Sequence, residues 1–183
     1  MAQQYSEISE KLIEFIKKQK LFFVGTAAAD GRVNISPKGM DSFHVIHKNK
    51  VVWLNATGSG NETSAHIQEN SRMTIMFASF EGEPTILRLY GNATVIHRND
   101  AEWESLLSLF NEIPASRQIF EVDVDLVQTS CGMAVPFYDF VDDREQLNTL
   151  HRKIGEERVK EYWENNNQFS LDGKPTNILS KNT

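Results

Sequence analysis

The period of the apolar residues first changes along this chain near residue 20. Before it, Ile8, Leu12, Phe15 and Ile16 recur at helical spacing with Glu7, Glu10, Lys11, Lys17 and Lys18 between them, which predicts an amphipathic helix with Ser6 as its N-cap. After it, the runs LFFVGTAAA, RVNIS, FHVI, VVWLN, RMTIMFASF, TILRLYGNATVI and QIFEVDVDLVQ are rich in β-branched and aromatic residues and read as strands. Turn signals separate them: Asp30-Gly31, the strongest hairpin signal, then Lys48-Asn49 and the stretch from Glu81 to Pro84. In IFEVDVDLV the apolar residues alternate with Glu121, Asp123 and Asp125, as in a strand with one wet face.

Three helical stretches interrupt or follow the strands. A short one runs from about Asn61 to Glu69, and a second, NDAEWESLLSLFNEI, places Trp103, Leu106, Leu107 and Phe110 on one face. The third, DREQLNTLHRKIGEERVKEYWENNN, is highly charged with a thin apolar stripe of Leu147, Leu150, Ile154 and Tyr162, and SLDGKPTNILSKNT closes the chain as loop or tail. With about six or seven mainly antiparallel strands on short connections, a barrel that removes exposed edges is favoured. The expected class is therefore β-dominated (α+β), a split β-barrel with flanking helices in one domain over residues 1–183, the charged helix and tail beginning at about 143.

Composition narrows the function classes. The net charge of -6 and the absence of any basic cluster longer than Lys17-Lys18 argue against nucleic acid as a partner. A single cysteine, Cys131, forbids an internal disulfide and fits a reducing compartment, and no apolar run approaches the ~20 residues of a membrane span. The cytoplasm is the expected location.

Candidate chemistry is sparse. His44, His47, His66, His97 and His151 lack an acidic partner at ligand spacing, so no metal site is expected. Cys131 in TSCGMAVP has no evident base and reads as a small, partly buried packing residue. No GxSxG, HExxH or GxxxxGK motif occurs. Lys38, set between Pro37 and Gly39 just past a strand, is either a cation held by restricted backbone or an ordinary turn lysine.

The loop NATGSGNETSAH, Asn55 to His66, has two readings. Ser59 and Glu62 fit a capping box, while the helix start with Asn61, Thr63 and Ser64 fits an anion site, for which Arg72 and Arg88 are candidate cations.

In order and spacing, FVGTAAADGRVNISPKG, VVWLNATGSGNET and RMTIMFASFEGEPTILRLYG resemble the pyridoxamine 5'-phosphate oxidase-like FMN-binding split barrels, over roughly residues 8 to 130; SCGMAVPFYDF also looks typical of a branch distinct from the oxidase itself. The resemblance implies a homodimer with two FMN sites at its interface. It puts Val33, Asn34, Ile35, Ser36 and Pro37 along the flavin, Lys38 at the lysine of the oxidase's flavin strand, and Trp53, Leu54 and Asn55 at its aromatic-Tyr-Thr segment. The oxidase's phosphate-gripping Arg-Lys pair falls on Glu62 and Thr63, and its C-terminal tryptophan and arginine pattern is missing after Trp163. The phosphate is accordingly expected on Asn61, Thr63, Ser64 and Arg88, with Lys38 and the Gly39 amide favouring a reduced flavin.

The implied function is FMN-dependent oxidoreduction of an unidentified small molecule. The alternatives are a non-catalytic flavin- or haem-binding carrier or sensor, a structural or interaction domain that has lost the cofactor, and, least favoured, oxidation of pyridoxamine 5'-phosphate.

Overall fold

The computed structural model describes residues 2–183. Its elements run β1 (Gln3–Tyr5), α1 (Glu10–Lys18), β2 (Phe22–Thr26), β3 (Asn34–Lys38), β4 (Phe43–His47), β5 (Lys50–Ala56), α2 (Glu62–Glu69) and β6 (Arg72–Ala78). They continue with β7 (Thr85–His97), α3 (Trp103–Leu107), β8 (Ser116–Cys131), α4 (Gln146–Asn166) and α5 (Ile178–Asn182). The eight strands form one sheet in the order β3-β2-β6-β7-β8-β5-β4, with β1 paired to β8, and every pairing is antiparallel.

The sheet curls into a split barrel without closing: β3 and β4, the two ends of the order, are not hydrogen-bonded to each other. One strand more is present than the runs of apolar residues predict. It is β1, whose residues are all exposed and whose place is set by backbone pairing alone.

Alternation decides what fills the barrel. Phe22, Val24, Val51, Trp53, Ile75, Phe77, Leu87, Leu89, Phe120 and Val122 point inward with Leu12 and Ile16 of α1. Burying a chain of this length in one such cluster removes roughly 70% of the unfolded surface from water. Trp53 stacks on Phe120 with centroids 4.4 Å apart, and Phe22, Phe43 and Phe77 pack edge and face around them. On the other side of β5 and β8, Val52, Leu54, Ile96 and Ile119 pack under Trp103 of α3, which is only five residues long.

Four local expectations change. The cap of α1 is Ser9, whose Oγ accepts from the Leu12 amide, because Ser6 lies before Ile8, where the Ile8 amide is still bonded to Lys48 O. Ser9→Ala should therefore cost about 0.5–1 kcal/mol in denaturant unfolding, and Ser6→Ala much less.

The helix at 146–166 is broken at Gly155 (φ 75°), and it buries Asn148, His151, Val159 and Trp163, leaving Leu150 and Tyr162 exposed. The final stretch is not a loose tail: it contains α5, and Thr176, Ile178 and Asn182 are buried. Cys131 ends β8 as an exposed free thiol, not a packing residue.

Candidate functional site

Polar side chains gather inside the barrel at the open seam, where β3 faces the end of β5 that runs past its pairing with β4. Asn34, Ser36 and Lys38 share the face of β3 whose partners Thr26, Val24 and Phe22 are buried, so all three look inward from an edge strand. Lys38 Nζ lies 3.4 Å from Asn55 Oδ1 and 5.2 Å over the Trp53 ring. Asn55 in turn donates to Gln118 Oε1 at 3.0 Å, and Gln118 stands opposite His97 across the ladder.

Beside this row, Asn34 reaches Thr63 of α2 at 3.2 Å, Ser36 Oγ donates to Asn34 Oδ1, and Thr26 Oγ1 meets His66 Nδ1 at 3.1 Å. The corner that follows Lys38 is rigid. Met40 and Asp41 both take left-handed backbone (φ 61° and 52°), and Ser42 Oγ ties back to Gly39 O while its own carbonyl accepts from Leu54.

The electrostatics of the seam are one-sided. Burial, then the charge of Arg117, pushes the Lys38 ammonium down to about 8 from 10.5. Among the described residues no carboxylate contributes to holding that charge. Trp53 Nε1 and Gln118 Nε2 are buried donors without partners. An excess of donors around a buried cation suits an anionic or acceptor-rich group.

Because the folded-state pKa of Lys38 lies below its free value, the unfolded chain binds the extra proton between them. Stability referred to Lys38 should then rise as pH climbs from about 8 towards 10.5, and be lowest and flat below about 8. Comparing urea unfolding of wild type with Lys38→Met across that window checks it; a difference independent of pH contradicts the burial of the charge.

The other expected ligands scatter. Ile35 is 70% exposed on the outer face of β3, with Pro37 on the same side, and Leu54 turns away into the cluster under α3. Arg88 alternates with the buried Leu87 and Leu89, so it lies on the opposite face of the sheet and donates to Ser130 Oγ at 3.1 Å. It is not brought to the α2 loop.

The capping box of Ser59 and Glu62 does not form. Asn61 is the N-cap, Glu62 is already in the helix, and its carboxylate accepts from the Leu171 amide. Asn61, Thr63 and Ser64 are 2%, 5% and 0% exposed and turned to internal partners: Asn61 Nδ2 donates to Asn167 O, Thr63 Oγ1 accepts from Asn34 Nδ2 and Ser64 Oγ donates to Thr176 O, while Asn61 Oδ1 has no partner. The residues fit a flavin at the ring end of the seam, where donors are free. At the expected phosphate cradle they do not fit as they stand.

What covers the cradle is the C-terminal segment. Trp163 Nε1 donates to Thr57 Oγ1 at 2.7 Å, Asn167 is fully buried against Gly58 and Ser59, and Lys174 bridges Asp30 and Glu69. Arg32 pairs with Asp172 on the loop between β2 and β3. Sequence reasoning missed Arg117, Gln118 and Asn167. An arginine opening a strand and an asparagine in a run of three carry no local signal; only the tertiary fold brings them to the loop.

An antiparallel split barrel defines a class, and three comparisons agree with it. The family model for pyridoxamine 5'-phosphate oxidase matches residues 8–131. Over 189 aligned residues the chain is 35% identical to the pyridoxamine 5'-phosphate oxidase family protein ustO of Aspergillus flavus, covering 93% of this chain and 76% of that protein. The chain belongs to the pyridoxamine 5'-phosphate oxidase family.

Among solved structures, a putative pyridoxamine 5'-phosphate oxidase from Lactobacillus delbrueckii superposes with a TM-score of 0.54 at 22% identity, covering 67% of this chain and 94% of that one. A histidine-to-alanine variant of HupZ from Group A Streptococcus gives 0.55 at 19% identity, with 67% and 99% covered. At such identities the likeness is one of fold. Among the described residues no helix is long and apolar enough to cross a membrane.

Proposed function

We propose that this protein is an FMN-dependent oxidoreductase acting as a homodimer, with the flavin ring at the seam between β3 and β5. The observation that carries the reading is Lys38, a cation enclosed between Trp53 and Asn55 and lacking a carboxylate partner. Such a charge is costly to bury unless it serves a group that is, or becomes, negative.

When bound, FMN supplies the redox chemistry, accepting and passing on electrons with negative charge building on its pyrimidine end. The chain's own part is to hold Lys38 protonated against that charge and to keep water from it with the Trp53 side of the barrel. The Met40–Asp41 corner fixes the strand end from which Lys38 projects.

A second copy of the chain is the proposed cover for the exposed apolar residues. Val33 and Ile35 on and beside the edge strand are each 70% exposed, and Met133, Phe137 and Val141 are 82%, 80% and 92% exposed. Sedimentation of the purified protein checks it: a dimer is expected, and a monomer at micromolar concentration contradicts it.

A flavin carrier that turns nothing over is the second reading, favoured by the neutral amides and hydroxyls, Asn34, Ser36 and Asn55, that surround Lys38. Turnover separates the two. Anaerobic bleaching of bound flavin by NADH or NADPH, followed by reoxidation with oxygen or by a substrate panel that includes pyridoxamine 5'-phosphate, is the expected result for an enzyme. Flavin that no donor reduces leaves the carrier.

A further inference from the structure

The loop between β5 and α2 is already full, and the chain itself fills it. Gly58 O and Ser59 O accept from Asn167 Nδ2 at 3.1 Å and 3.4 Å, and Gly60 O accepts from Arg117 Nη2 at 2.6 Å. Arg117, 3% exposed, gives its Nη1 to Asn167 Oδ1 at 2.7 Å. The Asn167 amide is thus held from both ends, its donor by the loop and its acceptor by the guanidinium.

Such a lining selects its occupant by hydrogen-bonding sense. Three backbone carbonyls turn into this space, and Asn61 Oδ1 beside them is buried and unpartnered. All four atoms are acceptors, and an oxyanion has no proton to offer them. Glu62, in the first turn of α2, adds a carboxylate that accepts from the Leu171 amide. An amide NH2 and a guanidinium satisfy these groups; a phosphate would be repelled by them.

The occupant is also firmly built in. Trp163, Asn167, Thr176 and Ile178 are each 0% exposed. Thr176 Oγ1 donates to Asn167 O at 2.6 Å, while Thr176 O accepts from Gln68 Nε2 at 2.9 Å and Ser64 Oγ at 3.3 Å. Val159, Trp163 and Ile178 form a small core of their own, with Ala115 packed against it. Withdrawing Asn167 would break these bonds together and open that core to water.

The seam, by contrast, keeps donors free. Trp53 Nε1 and Gln118 Nε2 have no partner, and neither they nor Lys38 bond to the α2 loop.

We infer that residues 163–178 are a fixed occupant of the α2 loop, and that the seam therefore takes flavins by their ring alone, riboflavin as readily as FMN. The identity of the ligand rests on the flavin reading above; the filled loop does not. The chain departs here from the phosphate-holding loop that its resemblance implies, with Glu62 and Thr63 in place of the Arg-Lys pair and its own amide in place of the phosphate.

The test uses the full-length wild-type protein. It is titrated with FMN and with riboflavin by fluorescence at constant ionic strength. Hydrogen exchange of the Asn167 and Thr176 amides, bonded to Trp163 O and Gln168 O, is followed with and without FMN and inorganic phosphate. Dissociation constants within about threefold of each other, and exchange that neither ligand accelerates, are expected.

A larger preference for FMN overturns recognition by the ring alone. Faster exchange at Asn167 or Thr176 in FMN or in phosphate than in chloride of equal ionic strength overturns the fixed occupant. If neither flavin binds, the flavin reading falls and the ligand with it, whereas exchange that phosphate leaves unaccelerated still supports the filled loop.

Discussion

Gly91→Ala should remove a large share of the protein's stability. A Cβ at this position would lie 2.1 Å from Asp123 O, 2.9 Å from Asp123 C and 3.0 Å from Val124 Cα, all backbone of the paired strand β8. The contact sits at the irregularity between Tyr90 and Gly91 in the pairing of β7 with β8, where the two strands come closest.

Ordinary overpacking costs about 1–3 kcal/mol because side chains yield, but here only ladder backbone could yield, so about 4 kcal/mol or more is expected. Against a typical domain stability of ~5–15 kcal/mol that is a large share. Insoluble expression, or a denaturation midpoint far below that of wild type, is the expected outcome. A Gly91→Ala protein that melts within a few degrees of wild type would contradict so close an approach of the two strands.

The second large effect falls on function rather than folding. Lys38→Met keeps an unbranched stem over Trp53 but deletes the charge, so the fold should survive. The flavin, however, should be lost or loosened by at least about tenfold, equivalent to ~1.4 kcal/mol, because no other cation reaches the seam from β3.

Whatever flavin remains should be harder to reduce. A cation that favours the reduced form by ~1.4 kcal/mol raises a two-electron potential by about 30 mV, and removing it lowers the potential by the same amount. Spectroelectrochemistry of the two proteins measures it. An unchanged potential would place Lys38 away from the flavin's charged end.

The strands were legible because alternation survives in the sequence. In β7 and β8 the inward Leu87, Leu89, Phe120 and Val122 are separated by polar or small residues, and β5 reads as an apolar run because both of its faces are covered, one by the barrel and one by α3. By contrast β1 has only Gln3, Gln4 and Tyr5, and nothing but its pairing with β8 makes it a strand.

The seam was half legible. Lys38, Asn34 and Asn55 converge as their places in the barrel pattern imply, whereas Arg88 fails because one step of strand alternation sends it to the other face.

The α2 loop was misread for a long-range reason. Gly58, Ser59 and Gly60 are bonded to Asn167 and Arg117, residues more than fifty positions away, and that shape displaces the local capping box. The C-terminal segment likewise looks like a polar tail until Trp163 finds Thr57 and Thr176 finds Ser64.

The central claim is that a flavin sits at the Lys38 seam, and FMN titration of wild type beside Lys38→Met tests it most directly. The account predicts one FMN per chain in wild type, with quenched flavin fluorescence that returns on denaturation, and affinity at least about tenfold weaker in the variant. A wild-type protein that neither carries nor takes up FMN, or a variant that binds it equally well, would contradict it.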